Sequence, residues 1–315
     1  MEAAGDVEAL VAGVLAGERR AVARAISLVE DGRQELEALS AGIYAATGRA
    51  TTIGITGAPG VGKSTLAAAL VGAVRARERR VAVLAIDPTS PYTGGALLGD
   101  RVRMQEHATD PDVFIRSMAT RGHLGGMALA APEGVRILDA AGYELIMVET
   151  VGVGQAEVEV AAATDTTLVV LAPGLGDAVQ MAKAGILEVA DVFVVNKADR
   201  DGAGEVAREL RQMLHLGPAR EHDPPVLSAA ATLGDGVDEL WDAIEDHEAW
   251  ARASGARDAR RRARLLAEVE SLAAERFRVA VASALEADAR LAGDLAERRV
   301  DPYGAAAALA RRASP

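Results

Sequence analysis

The sequence predicts an α/β chain: a doubly wound, mostly parallel sheet with a helical extension before it and a helical arm after it. Three observations carry that expectation. Short β-branched runs, several of them nearly all apolar, recur between Thr51 and Ser228, which is the texture of parallel strands buried on both faces. Segments with apolar residues at helical spacing separate most of these runs, as crossover connections require. No strand-like run occurs outside residues 47–250.

Taken in order, residues 1–46 place Val7, Leu10, Val11, Val14, Leu15, Val22, Ile26 and Val29 at helical spacing with charges between them, so two or three amphipathic helices are expected. The strand candidates follow: Thr51–Thr56, Val81–Asp87, Val113–Met118, Leu145–Thr150, Thr166–Ala172, Val192–Asn196 and Val226–Ser228, each ending at or near a Gly, Asp or Pro. A helix over Thr65–Arg75 follows the first strand. From residue 251 the β signal stops. Ala251–Arg299 is rich in Ala, Arg, Glu and Leu at helical period, and Ala305–Arg312 adds a short helix. Leu265, Leu266, Val269, Leu272, Val279, Val281 and Leu285 have little obvious partner within the chain. That suits residues 251–315 to a packed lid or an oligomerisation arm, and the unpartnered apolar positions favour the arm.

Composition sets limits. The chain has 315 residues, half of them apolar, enough for one large domain with helical additions. A net charge of -12 argues against nucleic acid, which demands concentrated Lys and Arg. The absence of cysteine removes disulfides, thiolate metal sites and cysteine nucleophiles together. The acidic start Met1-Glu2-Ala3-Ala4-Gly5-Asp6 lacks the order of a signal peptide. No apolar run approaches the roughly 18 residues that cross a bilayer. A soluble, cytoplasmic protein without nucleic-acid or membrane partners is expected. The arginine clusters Arg260–Arg262 and Arg298-Arg299 have Asp258, Glu297 and Asp301 nearby and read as solvated helix faces. His107, His123, His215, His222 and His247 show no ligand spacing, and Trp241 and Trp250 read as packing.

The chain has only three lysines among 34 basic residues, and all three fall in or beside candidate nucleotide motifs. Gly57-Ala58-Pro59-Gly60-Val61-Gly62-Lys63-Ser64 is a complete G-x-x-x-x-G-K-[ST] loop between a strand and a helix. Its glycines let successive N–H groups and a helix N-terminus face a phosphate. Lys63 would bridge β- and γ-phosphates, the Ser64 hydroxyl would bind Mg²⁺, and Thr65 opens the helix. Asn196-Lys197-Ala198-Asp199 ends a strand, so it lies on the same rim. A carboxylate at Asp199 accepts from guanine N1–H and the 2-amino group, a donor pair that adenine lacks. Ser228–Ala231, including Ala230, sits where a further guanine-contacting loop belongs. Asp87, Asp100 and Glu149 lie at strand ends or loops on that rim, as Mg²⁺-linked switch carboxylates do, although Asp87 before Pro88 also suits a turn. Gln155 is a water-positioning candidate with an offset spacing. GTP/GDP with Mg²⁺ is the expected ligand set, and Lys63 and Glu149, the latter opening a D-x-x-G-like Glu149-Thr150-Val151-Gly152 run, are the first catalytic candidates.

Several longer runs resemble the MeaB/ArgK/MMAA family of P-loop GTPases, whose fold is of the SIMIBI type. They are Asp87-Pro88-Thr89-Ser90-Pro91, Gly94 to Met104, Arg121-Gly122-His123-Leu124-Gly125-Gly126, Glu149-Thr150-Val151-Gly152-Val153-Gly154-Gln155, and Gly176-Asp177 through Lys183-Ala184-Gly185-Ile186. Ala230-Ala231 stands where the family commonly has Ser-Ala, and Ala178-Val179 where Glu-Leu is familiar. The resemblance implies a GTP-hydrolysing chaperone that gates adenosylcobalamin loading and protects an acyl-CoA mutase, chiefly methylmalonyl-CoA mutase. It also implies a homodimer joined through the C-terminal arm, with Asp87, Asp100 and Glu149 around Mg²⁺. The resemblance further implies that Lys183 belongs to the family's mobile segment, switch III, which swings towards the nucleotide there, and so makes it a further catalytic candidate. Three rivals remain: metal-delivery GTPases of the urease or hydrogenase type hold Cys or His clusters that this chain lacks, an ATP-dependent transport-protein kinase conflicts with the N-K-x-D base chemistry, and a scaffold that binds GTP without useful turnover is left open by the sequence.

Overall fold

The structure is a computed structural model that describes residues 2–31, 35–87, 107, 109–119, 126–150, 156–174, 186–217 and 220–313. Three helices lead in: α1 (Glu2–Leu15), α2 (Arg19–Asp31) and α3 (Glu35–Ile43), followed by a 3-10 turn. The order then runs β1 (Thr51–Thr56), α4 (Lys63–Ala76), β2 (Val81–Asp87), β3 (Val113–Ala119), α5 (Gly126–Ala140), β4 (Leu145–Thr150), α6 (Ala156–Ala163), β5 (Thr166–Leu171), α7 (Ile186–Val189), β6 (Val192–Asn196), α8 (Ala203–Leu216), β7 (Val226–Ala229) and α9 (Val237–Ser254). The chain finishes with α10 (Ala256–Ala287), α11 (Leu291–Ala296) and α12 (Pro302–Ala313). The expected strands are found with ends shifted by at most a residue.

The strands form one sheet in the order β3-β2-β4-β1-β5-β6-β7, and every pairing is parallel. β1 is central, and the chain winds first to the β4, β2, β3 side and then to the β5, β6, β7 side. Such a sheet gathers ligands at the carboxyl ends of strands where the winding reverses.

Strand parity assigns each face its core. Ile53, Ile55, Leu145, Met147, Leu168, Val170, Val192 and Val194 point to one face, against Leu66, Leu70 and Val74 of α4 and Leu240, Trp241 and Ile244 of α9. Ala82, Leu84, Ile86, Ile146 and Val148 point to the other. They pack with Val22, Ile26 and Val29 of α2, Leu39 and Ile43 of α3, and Ile137 and Leu138 of α5. The N-terminal helices thus share a core with the sheet. Val169, Leu171 and Phe193 close over Leu210 of α8.

The chain divides into two compact units, Met1–Arg261 and Arg262–Pro315. In the second, Leu291, Ala305 and Leu309 are buried with Val281, Ala284, Leu295 and Val300 packed on them. Leu265, Leu266, Val269, Leu272, Phe277, Val279 and Leu285 are exposed. Among the described residues no helix is long and apolar enough to cross a membrane.

Arg260 and Arg261 depart from the sequence expectation. They do not line a solvated face beside Asp258. Arg260 reaches Asp191, 69 residues earlier, at 2.7 Å, and Arg261 reaches Asp165, 96 residues earlier, at 3.0 Å. Arg299 does pair locally, with Asp294 at 2.8 Å and with Glu297.

Candidate functional site

The loop from Gly57 to Gly62 joins central β1 to α4, whose first residue is Lys63. The N–H groups of a helix's first turn have no intrahelical partner, and the helix dipole adds positive character there. Gly57 has φ +140°, and a Cβ on it would strike the carbonyl of Val170 in β5. The loop passes so close to the neighbouring strand that only glycine fits. Lys63 and Ser64 are buried at the head of α4. The Lys63 ammonium donates to the carbonyls of Gly57 at 2.7 Å and Ala58 at 3.1 Å, so its charge is held inside the curve of the loop.

Glu149 belongs here by strand parity. It continues the Leu145 and Met147 face of β4, the face that packs on α4, and it is only 4% exposed. The Ser64 hydroxyl donates to its Oε1 at 2.6 Å. On the opposite parity, the Thr150 hydroxyl donates to that of Thr56 at 3.3 Å, tying the end of β4 to the residue before the loop.

Parity places Asn196 in the same way. It extends the Val192 and Val194 face of β6 towards the phosphate loop and is 2% exposed. Its amide donates to the carbonyls of Val61 at 2.9 Å and Gly62 at 3.4 Å, and its Oδ1 accepts from the Ala231 N–H at 3.2 Å. One side chain therefore braces three loops. Lys197 takes a left-handed φ of 58° and donates from Nζ to the Gly60 carbonyl at 2.6 Å, which lays its stem along the loop. Ala198 N–H donates to the Ala229 carbonyl at 3.0 Å. Asp199 is exposed just beyond, and Ala230 is buried, its N–H donating to the Asp235 carbonyl at 2.9 Å.

The structure therefore brings Gly57 to Thr65, Glu149, Asn196 to Asp199 and Ala230-Ala231 to one rim. Ser228 is exposed on the edge strand β7. Asp87 ends β2 at the carboxyl rim, with its side chain outside the described residues, and Asp100, Gln155 and Lys183 lie outside them too. The Thr56–Thr150 pair and the triple role of Asn196 were not read from the sequence. A hydroxyl residue closing each of two adjacent strands was the available signal for the first.

A family model described as Methylmalonyl Co-A mutase-associated GTPase MeaB matches residues 22–286. The chain belongs to this family of GTPases. A Pyrococcus horikoshii protein that is also named as a GTPase is 46% identical over 304 residues, covering 95% of this chain and 96% of its own length. The Mus musculus protein named methylmalonic aciduria type A homolog, mitochondrial, is 35% identical over 274 residues, 81% of this chain and 66% of that one. The crystal structure of LAO/AO transport system kinase aligns with a TM-score of 0.70 and 27% identity over 98% of this chain and 97% of that chain. Membership in the MeaB family makes the chain a guanine-nucleotide hydrolase of the P-loop class, in keeping with a rim built from Gly57–Ser64 and Asn196–Asp199.

Proposed function

We propose that this MeaB-family GTPase is a chaperone for an adenosylcobalamin-dependent acyl-CoA mutase, methylmalonyl-CoA mutase first, whose cofactor loading it gates and which it protects from inactivation. The observation that carries the reading is the match to a family described by its association with that mutase, over a chain whose phosphate loop and base-reading loop are braced together by Asn196. The role is expressed through GTP turnover, and the chain works as a homodimer joined through residues 251–315, where the exposed apolar positions of α10 lie.

In the proposed site the Gly57–Gly62 backbone and the head of α4 cradle the phosphates. Lys63 leaves the loop carbonyls to lie between β- and γ-phosphates, where its charge stabilises the transferring group. Ser64 and Glu149 hold oxygen atoms 2.6 Å apart, a hard donor set that fits Mg²⁺; Asp87 and Asp100 are proposed as its further carboxylates. A Mg²⁺ ion held there would supply neutralisation of phosphate charge. Asp199 reads the guanine edge, Lys197 covers the base with its stem, and the Ser228–Ala231 loop closes the pocket.

The test is co-purification of the tagged chain from its own cells with and without a non-hydrolysable GTP analogue, followed by mass spectrometry. Nucleotide-dependent recovery of a cobalamin-dependent mutase is expected. Recovery of a nickel enzyme or a transport protein in its place would overturn the assignment. Nucleotide competition separates the kinase reading, because ATP is expected not to displace GDP.

A further inference from the structure

The first turns of α10 follow the glycine cap of α9 and are held by a row of arginines, with no buried residue of their own. Gly255, between α9 and α10, has φ +78°, a left-handed value that side chains oppose. A Cβ built on it meets nothing within 4 Å, so the backbone angle and not crowding calls for glycine. None of the 32 residues of α10 is buried.

Charge holds its first turns. Arg257, Arg260 and Arg261 fall at i, i+3 and i+4, on one helix face. Arg260 donates to both carboxylate oxygens of Asp191, at 2.7 and 2.9 Å, and to the Asp165 carbonyl at 2.7 Å. Arg261 grips the Asp165 carboxylate at 3.0 and 2.5 Å and donates to the carbonyls of Gly48 and Ala50, each at 2.7 Å. Arg257 stands 3.9 Å from the same carboxylate.

These partners share a place in the fold. Ala50, Asp165 and Asp191 immediately precede β1, β5 and β6. At their other ends β1 runs into the phosphate loop, β5 into Pro173-Gly174, and β6 into Asn196–Asp199. The arginines thus close on the back of three adjacent strands: β1 and β6 carry the candidate site at their fronts, and β5 lies between them with its Val170 carbonyl against Gly57. No residue of α10 is buried, so its release uncovers no apolar core; the cost lies in the carboxylates, since Asp165 and Asp191 are only 1% and 11% exposed and must take water in place of the guanidiniums.

We propose that Arg257, Arg260 and Arg261 form a releasable latch, that α10 pivots at Gly255 when it opens, and that the nucleotide bound at the front of β1 and β6 biases it. The proposal rests on the nucleotide site described under Proposed function. Tightly packed strands have low compressibility and pass on small displacements, and forked Arg–carboxylate pairs are sensitive to direction. A small shift of Asp165 and Asp191 is therefore enough to change the grip.

Hydrogen exchange on the full-length protein tests it, following amides 256–264 without nucleotide, with GDP and with a non-hydrolysable GTP analogue, alongside calorimetric GDP binding. In the wild type their exchange should differ about tenfold between the two nucleotides. In R260Q/R261Q it should be fast in every state, with GDP affinity within about threefold of wild type. R260K/R261K keeps the charges, loses the fork and should fall between; it guards against a variant that simply misfolds. Equal exchange in both nucleotide states of a wild type that binds GDP overturns the latch, as does a difference that survives in R260Q/R261Q. If the wild type binds no GDP, the nucleotide-site reading fails separately. Release of 256–264 in R260Q/R261Q relative to wild type then still supports the latch, and unchanged protection overturns it.

Discussion

At the scale of single residues, the candidate site is a consequence of parity. Glu149 and Asn196 are the polar last or next-to-last members of strand faces that are otherwise apolar, and both faces look towards α4. Burial of these side chains is tolerable because each is hydrogen-bonded. Two substitutions separate bracing from base reading. Asn196→Ala leaves the Val61 carbonyl and Ala231 N–H without their partner, a cost of about 1–3 kcal/mol. It should lower both GDP affinity and melting temperature, read by calorimetry and thermal denaturation. Asp199→Asn changes an exposed side chain, so the melting temperature should stay constant. GDP binding should weaken by roughly 2–4 kcal/mol while xanthine nucleotides gain. GDP bound by Asp199→Asn as tightly as by wild type would remove Asp199 from base reading. Lys63→Ala withdraws the charge held inside the loop, and single-turnover hydrolysis should fall by about a hundredfold or more. A rate within a few-fold of wild type would sink the phosphate-loop assignment.

At the scale of elements, the sheet was legible because strands covered on both faces leave long apolar runs, such as Leu145–Val148 and Val192–Val195, that helices of this length do not mimic. The phosphate and base loops were legible because their chemistry is compact in sequence. The arginines of α10 were not, because periodicity reports which face a residue takes but not a partner 69 or 96 residues away. A charged face beside local acids looks the same whether it meets water or a distant carboxylate. That hidden network has a measurable acid signature. Burial raises the Asp191 pKa, but hydrogen bonds from His247 and Arg260 outweigh it, and the carboxyl is lowered from 3.8 to about 2. A folded value below the unfolded one stabilises the protein above about pH 4 and loses that stabilisation as pH falls towards 2. The amount is about 2 kcal/mol. Urea denaturation from pH 5 to 2 should show Asp191→Asn losing less stability on acidification than wild type. Parallel pH slopes for the two proteins would show that Asp191 does not carry this linkage.

At the scale of the whole molecule, the boundary between the units decides how to separate nucleotide binding from assembly. A cut after Trp250 would strip Arg260 and Arg261 from Asp191 and Asp165. A cut after Arg261 keeps those pairs and the first unit whole. The 1–261 fragment should therefore be a monomer by light scattering and bind GDP like the full chain, since every candidate nucleotide residue lies within it; a dimeric fragment would place the interface elsewhere. The proposed mutase partnership needs a different probe, and Lys183 offers one. A rare lysine after Pro173-Gly174-Leu175-Gly176-Asp177 suits a charge required in one conformational state. If the mutase orders that segment, Lys183 adds transition-state stabilisation only in the complex. Lys183→Ala should then leave intrinsic GTP hydrolysis within a few-fold of wild type and abolish most of the stimulation by the mutase. A solvated lysine gives a different result, because its removal changes neither rate. Equal stimulation of mutant and wild type, measured at saturating mutase, would assign Lys183 to the solvated surface and leave the acceleration to other residues of the rim.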